Sequence, residues 1–462
     1  MSRLRAVTKE ILADADTPVS AYLKLCGGAD NSFLFESGEG MESVGRYSIV
    51  AWDPLAELRL ASDQATLELN GRTSSHQAAK FFDLAPRALD ELECDGLPDL
   101  PFVGALIGYV GYEAVKLIER LPEGPPHHLP VSRLVYPSRF VVFDHLARMM
   151  TLVAIAGDEA AARAKLEESE ARLSTALPLR AKPGRVTFQA PDKERFCRAV
   201  RKAKEYILAG DIFQVVLSDV FSGQAQVDPL SVYRWLRVKS PSPYMFYLSF
   251  PDCRMVGASP ETLVKMEKGV MQLRPIAGTR GRSHDAARDL ELEQEMMASE
   301  KERAEHLMLV DLARNDAGRV CQYGTVRVEP FMTVERFSHV MHIVSAVSGA
   351  MRPEMDVWHA FRAAFPAGTV SGAPKVRAME IISELEAGPR GPYAGAVGSF
   401  GPGQHMDTCI AIRMIVFEGD RYTLQCGAGI VADSDPEMEY AEINHKAAQG
   451  LAALRAAAEG LS

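Results

Sequence analysis

Four glutamates form two pairs with the same i, i+3 spacing in distant parts of the chain. Glu439 and Glu442 lie in DSDPEMEYAEINHK, and Glu302 and Glu305 lie in KERAEHLMLVDLARND. On helices, this spacing places both carboxylates of a pair on one face. Two such pairs would supply the oxygen ligands that Mg²⁺ prefers, with water and an anionic ligand completing the coordination. A solvated helix face is the competing interpretation of each pair, because surface glutamate is abundant.

The residues around these glutamates favour a site over a plain surface. The apolar run LMLVDL directly follows His306, so part of the upstream helix is expected to be buried. Lys446 lies four residues after Glu442, which fits either an i, i+4 ion pair or a cation aimed at a ligand carboxylate. The preceding Gly427, Ala428 and Gly429 predict a turn that leads into this helix.

Two Gly-Thr pairs are candidate anion contacts. Gly278-Thr279 occurs in PIAGTRGR, and Gly368-Thr369 occurs in PAGTVSGAPK, which opens a predicted helix. Glycine allows backbone N–H groups to approach an anion, the hydroxyl adds a donor, and a helix N-terminus favours negative charge. Taken alone, each pair is equally well explained as a turn with a helix cap.

One arginine and one histidine lie in segments with strand-like sequence. Arg413, in CIAIRM, is predicted inside an apolar strand, where a charged residue must be paired or face a site. Its guanidinium suits bidentate capture of a carboxylate. His342, in SHVMHIVS, is by itself more typical of a satisfied core residue. Together with the glutamates, these residues indicate a small, multiply anionic substrate bound beside a hard metal.

Composition narrows the class of protein. The chain has 462 residues, 47% of them apolar, and a formal charge of −10, which argues against a nucleic-acid or anionic-membrane partner. The seven cysteines show no C-x-x-C spacing, so we expect neither a disulfide framework nor a zinc site. The N-terminal segment does not resemble a signal peptide, and no window approaches the roughly 20 apolar residues of a membrane span. These features predict a soluble protein of the reducing cytoplasm.

The pattern of elements predicts an α+β fold. Residues 6–16 are predicted to be a short helix, 139–157 a hairpin, and 288–314 one long helix. Strands and helices do not alternate regularly, which disfavours a doubly wound sheet. The segment 179–192 has the composition of a linker and gives the predicted boundary between an N-terminal part, 1–185, and a C-terminal domain, 190–458. The N-terminal part could still interleave with the C-terminal domain.

Several motifs jointly resemble the chorismate-binding enzymes, a family that includes anthranilate, aminodeoxychorismate, isochorismate and salicylate synthases. The similarity over about residues 190–455 is carried by ASPET, RPIAGTRGR, EKERAEHLMLVDLARNDAGRV, FSHVMHIVS, PAGTVSGAPK, YAGAVGSF, CIAIR and GAGIVADSDPEMEYAE. TPVSAYLKL, SFLFES, GRYSIVAWDP and SPSPYMFYL resemble the anthranilate-forming branch. The resemblance implies a large two-sheet α/β sandwich with β-α-α-β layers and a smaller N-terminal α+β part.

The resemblance also implies roles for individual residues. Mg²⁺ would hold the ring carboxylate of chorismate, Glu261 would protonate the departing C4 hydroxyl, and His342 would act near pyruvate elimination. The implied metal ligands are Glu305 and Glu442, with Glu302 and Glu439 as further or water-mediated partners. The implied catalytic residues are Glu261, His342 and Thr369, and the implied substrate contacts are Gly278, Thr279, Tyr393, Arg413, Gly427, Ala428, Gly429 and Lys446.

Two positions distinguish the members of the family. Gln214 occupies the place where water-adding members carry a lysine base, and Ala277 occupies the place of the lysine nucleophile in many aminodeoxychorismate synthases. Ammonia is then the expected nucleophile, and anthranilate and pyruvate are the expected products. The alternatives are aminodeoxychorismate synthesis and a non-catalytic chorismate- or tryptophan-binding regulator.

The N-terminal resemblance implies feedback inhibition by tryptophan. The matching pocket residues are Glu36, Ser37, Pro243, Tyr244, Met245 and Phe246. Three positions depart from the usual pattern: Phe35 replaces leucine, and Ser240 and His445 each replace asparagine. The chain shows no glutaminase segment, so ammonia is expected from a separate glutamine amidotransferase subunit, in a heterotetramer or other hetero-oligomer, or from solution.

Overall fold

A computed structural model describes residues 3–38, 45–69, 71–177, 183–283, 285–337, 340–402 and 404–460. These residues form ten helices and 24 strands, so the α+β prediction is confirmed. The helices are α1 (Pro18–Leu25), α2 (Phe81–Glu91), α3 (Glu159–Leu173), α4 (Lys193–Leu208), α5 (Pro229–Lys239), α6 (Ala286–Ala298), α7 (Glu300–Gly318), α8 (Val357–Ala364), α9 (Lys375–Leu385) and α10 (Pro436–Glu459).

The strands fall into an N-terminal and a C-terminal group. The first nine are β1 (Leu4–Leu12), β2 (Ser32–Glu36), β3 (Tyr47–Leu60), β4 (Gln64–Leu69), β5 (Arg72–Gln77), β6 (Cys94–Asp95), β7 (Leu106–Val110), β8 (Ser132–Asp144) and β9 (Met149–Ala156). The others are β10 (Gln214–Gln224), β11 (Tyr244–Ser249), β12 (Arg254–Ser259), β13 (Thr262–Glu267), β14 (Val270–Leu273), β15 (Ile276–Gly281), β16 (Arg327–Val328), β17 (Thr333–Arg336), β18 (Val340–Val344), β19 (Val347–Ala350), β20 (Gly372–Ala373), β21 (Ala396–Phe400), β22 (Met406–Ile410), β23 (Met414–Glu418) and β24 (Arg421–Ile430).

Most strands belong to one hydrogen-bonded network that closes on itself. Strands β15, β18 and β17 form a separate three-stranded sheet in that order. Strand β10 lies beside β24 with antiparallel register from Val215 opposite Ile430 to Gln224 opposite Arg421. Helix α10 packs on β24 and on α5, which holds it against the sheet. The small sheet and the β10–β24 pair provide the two walls of the candidate site.

Strands from the N-terminal part pair directly with strands from the C-terminal part. Strand β2 pairs with β11, with Glu36 opposite Met245. Strand β7 pairs with β21, with Gly108 opposite Gly398. A Cβ atom at Gly108 would lie 2.1 Å from the carbonyl oxygen of Arg133 on β8, so the close approach of β7 to β8 needs glycine. The division at residues 179–192 stays a prediction, although the sheet contains strands from both sides of it.

Helix α10 carries Glu439, Glu442 and Lys446 at the spacing that the sequence analysis placed on one face. Asp435 caps it by accepting hydrogen bonds from the N–H groups of Glu437 and Met438, and Pro436 occupies its first turn. Ile443 and Ala447 are fully buried, whereas Glu442 is exposed. The buried stripe lies against β24 and fixes the direction in which the acidic residues of this helix point.

Three local predictions are wrong. Residues 6–16 were expected to be helical, but β1 forms an unbroken ladder with β9 from Arg5 opposite Ala156 to Leu12 opposite Met149, because cross-strand pairing outweighs local helix propensity. The long helix at 288–314 is two helices, broken at Ser299, whose side chain caps α7 by accepting from the N–H of Glu302. The turn expected at Gly427–Gly429 is extended chain inside β24.

The predicted hairpin is confirmed. The hairpin at 139–157 is formed by β8 and β9, with Asp144 opposite Met149. In the described part of the chain, no helix combines the length and the apolar character needed to cross a membrane.

Candidate active site

Glu261 and Thr369 form a hydrogen-bonded pair at the centre of the candidate site. Glu261 lies in the link between β12 and β13, and Thr369 lies in a short 3₁₀ turn, Gly368–Val370. The Thr369 hydroxyl donates to Oε1 of Glu261 at 3.0 Å. Burial raises the pKa of Glu261 to about 8, while Thr369 and the Lys446 cation oppose the rise. At neutral pH this carboxyl group is therefore mostly protonated and can act as an acid.

His342 is held as a neutral imidazole. It lies on β18, and its Nδ1 is 2.9 Å from the carbonyl oxygen of Gly278 on β15. A carbonyl can only accept, so Nδ1 carries the hydrogen and Nε2 keeps its lone pair. The Thr279 hydroxyl lies 3.1 Å from the same Nδ1. Burial lowers the pKa of His342, and the nearby Arg413 cation lowers it further. The imidazole is thus set to accept a proton through Nε2.

Arg413 lies in a connection rather than inside the predicted strand. Strand β22 ends at Ile410, and β23 begins at Met414 beside different neighbours, so the apolar run CIAIRM spans a crossover. Arg413 has a positive φ of 51° at this point. Its Nη1 donates to Oε1 of Gln449 at 3.3 Å.

No acidic side chain among the described residues forms an ion pair with Arg413. Burial lowers the pKa of its half-buried guanidinium. A desolvated cation without an acidic partner is a suitable receptor for a ligand carboxylate. Arg413 is therefore still suited to bind a substrate carboxylate, although it lies in a connection between strands and not inside a strand.

The glycines of β24 allow two side chains to approach the backbone closely. A Cβ atom at Gly427 would lie 2.7 Å from the hydroxyl of Tyr393, and one at Gly429 would lie 2.6 Å from Nε2 of Gln214. These residues are thus needed for close packing within a strand rather than for a turn. The carbonyl oxygen of Gly427 also accepts a 2.9 Å hydrogen bond from Lys446 Nζ.

A buried ion pair that the sequence analysis did not identify supports Tyr393. Arg390 lies with its guanidinium 5.7 Å from the centre of the Tyr393 ring and donates to Glu386 at 2.6 Å. Glu386 in turn accepts from the hydroxyl of Ser218 at 2.8 Å, and Ser218 hydrogen-bonds to Tyr393. Burial raises the pKa of Tyr393, so its hydroxyl stays protonated. Glu386, Arg390 and Tyr393 lie close together in the sequence, and Glu386 and Arg390 have i, i+4 spacing, but the contact with the distant Ser218 leaves no signal in the sequence.

The four glutamates converge from α7 and α10. Glu442 forms an ion pair with Lys446 at 2.7 Å, and Glu302 forms one with Arg280 at 2.7 Å. Burial raises the pKa of Glu305, and the charges of Glu302 and Glu442 raise it further. Because the charge of Glu442 on α10 acts on Glu305 on α7, the carboxylates of the two helices lie close enough to form one electrostatic cluster.

The donor set suits a divalent cation. Glu305 has no hydrogen bond or ion pair to another described residue, so no cation contacts its partly buried carboxylate directly, although the charges of Lys301 and Lys446 act on it. Burial also raises the pKa of Glu439. Among the described residues, however, no three acidic, histidine or cysteine side chains are gathered closely enough to hold a metal alone. The carboxylates therefore fit a hard cation whose coordination an anionic ligand and water complete.

The residues matched to a tryptophan pocket lie where β2 meets β11. Glu36 is buried and accepts from Tyr233 at 2.5 Å and from Arg237 at 2.9 Å. The Ser37 hydroxyl is buried without a hydrogen-bond partner. Tyr244 lies 2.9 Å from the Thr262 hydroxyl, and Pro243 is half-buried just before β11. Met245 and Phe246 are buried within that strand.

Lys446 connects most of the remaining site residues. It contacts Gly427 and Glu442 directly, and its charge acts on Glu261 and Glu305. The candidate acid, the carboxylate cluster and the glycine strand are thus within reach of one another. The predicted tryptophan residues form a separate group, linked to the site through β11 and α5.

Comparisons with known proteins identify the family of this chain. The family model described as chorismate binding enzyme matches residues 30–452. Anthranilate synthase component 1 of Acetivibrio thermocellus is 40% identical over 98% of this chain and 96% of its own length. The protein of the same name from Thermus thermophilus is 45% identical over the full length of both chains.

A solved structure supports the same relationship. Anthranilate synthase component I from Streptococcus pneumoniae superposes with a TM-score of 0.80 at 34% identity, covering 95% of this chain and 99% of that one. The family model, the relatives and the shared fold together show that this chain belongs to the chorismate-binding enzymes.

Proposed function

We propose that the chain converts chorismate and ammonia to anthranilate and pyruvate, the first committed step of tryptophan biosynthesis. The observations that support this most are the protonation state of Glu261, on which the Lys446 charge acts, and the effect of the Arg413 charge on His342. A buried carboxyl group protonated at neutral pH, Glu261, lies in the same site as a neutral imidazole, His342, and an arginine without an acidic partner, Arg413. An acid, a base and carboxylate receptors are what this reaction requires.

Substrate binding would use both ends of the chorismate dianion. Arg413 and the hydroxyl of Tyr393 are suited to the enolpyruvyl carboxylate, because both are donors and the guanidinium lacks a protein counter-ion. Glu305 and Glu442, with Glu302 and Glu439 beside them, would hold Mg²⁺. When bound, the cation would neutralise the ring carboxylate and withdraw electron density from the ring.

In the first step, ammonia would form a C–N bond at C2 while the C4–O bond breaks. Glu261 would give its proton to the departing oxygen, so that water leaves instead of hydroxide. The new ammonium group would then lose one proton, which balances the proton that Glu261 donates. Thr369 would hold the Glu261 carboxyl in place during this transfer.

In the second step, the aminated intermediate would lose the proton on C2 and, from C3, the whole enolpyruvyl group with its oxygen. Nε2 of His342 would take the C2 proton, because Nδ1 is committed to Gly278. The ring becomes aromatic as the C3–O bond breaks, and the released enolpyruvate takes up one proton at its methylene carbon to become pyruvate, which balances the C2 proton that is removed. Aromatisation makes this elimination favourable once the base is positioned.

Two side chains support ammonia as the nucleophile. The Gln214 amide is buried against Gly429 and cannot serve as a base for water at neutral pH. Ala277 carries no nucleophile, so it cannot form a covalent adduct with the ring. Ammonia needs neither a base nor an anchoring residue.

Regulation and supply of ammonia complete the proposal. Tryptophan would bind where Glu36 and Ser37 meet Pro243–Phe246, and the unpaired Ser37 hydroxyl is available to such a ligand. A separate glutamine amidotransferase subunit would deliver ammonia in a cytoplasmic hetero-oligomer. The name component 1 of the relatives supports a second component.

Anthranilate fluorescence is the direct test. Purified chain, chorismate, MgCl₂ and ammonium chloride should give anthranilate and an equal amount of pyruvate, and tryptophan should inhibit. An aminated chorismate that keeps its enolpyruvyl group would identify an aminodeoxychorismate synthase instead. Chorismate binding without turnover would indicate a regulator.

A further inference from the structure

One side-chain oxygen links the candidate substrate site to the candidate inhibitor pocket. Oε1 of Gln449 accepts from Arg413 Nη1 at 3.3 Å and from the Ser240 hydroxyl at 2.7 Å. Gln449 lies on α10 three residues after Lys446, so the two side chains share a helix face. An amide oxygen has two lone pairs, and here two donors from different segments occupy them.

Helix α5 carries the second half of this link. Ser240 is the C-terminal cap of α5, where its N–H donates to the carbonyl of Leu236 at 2.8 Å. On the same helix, Arg237 and Tyr233 hold the Glu36 carboxylate at 2.8 and 2.5 Å. A rigid helix thus joins Glu36 to Ser240.

The segment after Ser240 is also tied to the strand that carries Glu36. Gly38 N–H donates to the carbonyl of Ser242 at 2.8 Å, and a Cβ at Gly38 would lie 2.7 Å from that oxygen. A ligand that enters beside Ser37 therefore cannot displace this backbone without moving the end of α5. The hydrogen bond from Ser240 to Gln449 then continues this series of contacts towards Arg413.

We propose that Gln449 is a positioning residue for Arg413, and that the path Glu36–α5–Ser240–Gln449–Arg413 couples the inhibitor pocket to substrate binding. This inference rests on the proposed function, because it takes Arg413 as the receptor of a chorismate carboxylate. Arg413 sits at a positive-φ position in a crossover, so its backbone fixes one end of the side chain and Gln449 fixes the other.

An uncharged side chain at position 449 is better suited than a carboxylate to orient Arg413. A carboxylate at this position would hold Arg413 more strongly but would neutralise the charge that attracts the substrate. The amide orients the guanidinium with one uncharged acceptor and leaves its other N–H groups available. Because coupling is reciprocal, tryptophan and chorismate should change each other's dissociation constants by the same factor.

Two substitutions of Gln449 separate positioning from mere packing. Gln449→Met removes the acceptor at similar volume, and Gln449→Glu keeps the acceptor but adds a competing charge. We expect chorismate KM to rise about fivefold in Gln449→Met and more in Gln449→Glu, with kcat within about twofold of wild type. Gln449 is solvent-exposed, so both variants should melt near the wild-type temperature. Gln64→Ala, an exposed glutamine on β4, is the matched control and should match wild type.

Ser240→Ala tests the coupling itself. Tryptophan binding is measured by calorimetry with and without chorismate and MgCl₂, in the absence of ammonia so that no turnover occurs. We expect the wild type to show a coupling factor of about five or more, and Ser240→Ala and Gln449→Met to show one close to unity. Ser240→Ala keeps the Gln449–Arg413 bond, so its chorismate KM should change less than that of Gln449→Met.

The outcomes distinguish the inference from the function on which it rests. Failure of the wild type to form anthranilate overturns the proposed function. An active wild type whose KM is the same in Gln449→Glu overturns the positioning role. An active wild type whose coupling factor is one, or is unchanged in Ser240→Ala, overturns the relay.

Discussion

The hydroxyl of Thr369 donates a 3.0 Å hydrogen bond to the carboxyl group of Glu261, and this bond opposes the effect of burial on that group. Burial raises the pKa of Glu261 to about 8, whereas a donor stabilises the charged form and lowers it. The Thr369 hydroxyl therefore limits how far burial raises the pKa of this candidate acid. The pH dependence of turnover should report this balance.

The first prediction concerns that pH dependence. The proposed acid works only when protonated, so kcat should fall as pH rises through about 8. Thr369→Val removes the donor at equal volume, which should raise the pKa of Glu261 and move the alkaline limb to higher pH. The kcat is measured against pH with free ammonia kept saturating. Thr73→Val, at an exposed position on β5, is the control, and a limb that stays in place in Thr369→Val would contradict the assignment.

The second prediction removes the acid itself. Glu261→Gln cannot protonate the departing hydroxyl, so kcat should fall by roughly 10²- to 10⁴-fold while chorismate still binds. Binding is measured by calorimetry with MgCl₂ and without ammonia. Glu10→Gln, an exposed glutamate on β1, should behave as wild type. Full activity in Glu261→Gln would remove this residue from the mechanism.

The third prediction tests Arg413 as a carboxylate receptor. Arg413→Lys keeps the charge but loses the planar donor pair, so chorismate KM should rise by about tenfold or more. Steady-state kinetics with ammonium chloride provide the measurement. Arg87→Lys, an exposed residue that pairs with Glu91, is the matched control. A KM within twofold of wild type would mean that the substrate carboxylate lies elsewhere.

The fourth prediction concerns Glu305 and has two readouts of opposite sign. Glu305→Gln removes a candidate ligand, so Mg²⁺ affinity measured by calorimetry in the presence of chorismate should fall by about tenfold or more, and Glu442→Gln should weaken it likewise. In the absence of metal, Glu305→Gln should melt at a higher temperature, because burial raises the pKa of Glu305 and makes its ionised form unfavourable.

The sign of the second readout follows from linkage. A raised pKa means that the stability contributed by Glu305 is lost as pH rises through its folded-state pKa, so the gain from Glu305→Gln should be largest above that pKa. Glu300→Gln, exposed at the start of the same helix, controls for the loss of one charge. Unchanged Mg²⁺ affinity in Glu305→Gln would contradict the metal assignment.

The fifth prediction addresses feedback. Ser37→Phe should relieve tryptophan inhibition, because the ring would occupy the buried space beside the unpaired hydroxyl. Inhibition is measured as the tryptophan concentration that halves anthranilate formation. The basal rate of Ser75→Phe, at an exposed position on β5, checks for an unspecific effect of an added ring. If Ser37→Phe is inhibited as strongly as wild type, the pocket lies elsewhere.

The sequence predicted the site best where chemistry depends on local spacing. Glu439, Glu442 and Lys446 share one face of α10 because 3.6 residues make a turn, and that geometry needs no partner. The same rule placed Glu302 and Glu305 on α7, although not the break at Ser299, since a serine inside a helical pattern can be either a cap or an ordinary residue.

Features that depend on distant segments were not predictable in this way. Gly427 and Gly429 have turn-like composition, but β10 and the side chains of Tyr393 and Gln214 require them in an extended strand. The apolar run before Arg413 connects β22, which pairs with β21, to β23, which pairs with β24. This crossover is visible only in the strand pairing and not in the sequence. The hydrogen bonds of Gln449 leave no signal in the sequence, because both partners lie far away along the chain.

The direct pairing of early and late strands has a consequence for biosynthesis. Strand β7 has one edge against β8, but its other edge is covered only by β21, which is translated almost 300 residues later. The β2 edge likewise waits for β11. A nascent chain halted between these points would therefore present unpaired edges that invite association with other chains. The strand edges of the N-terminal half can be paired only after most of the polypeptide has been translated. Truncated products should therefore be prone to aggregation and should not behave as a smaller enzyme.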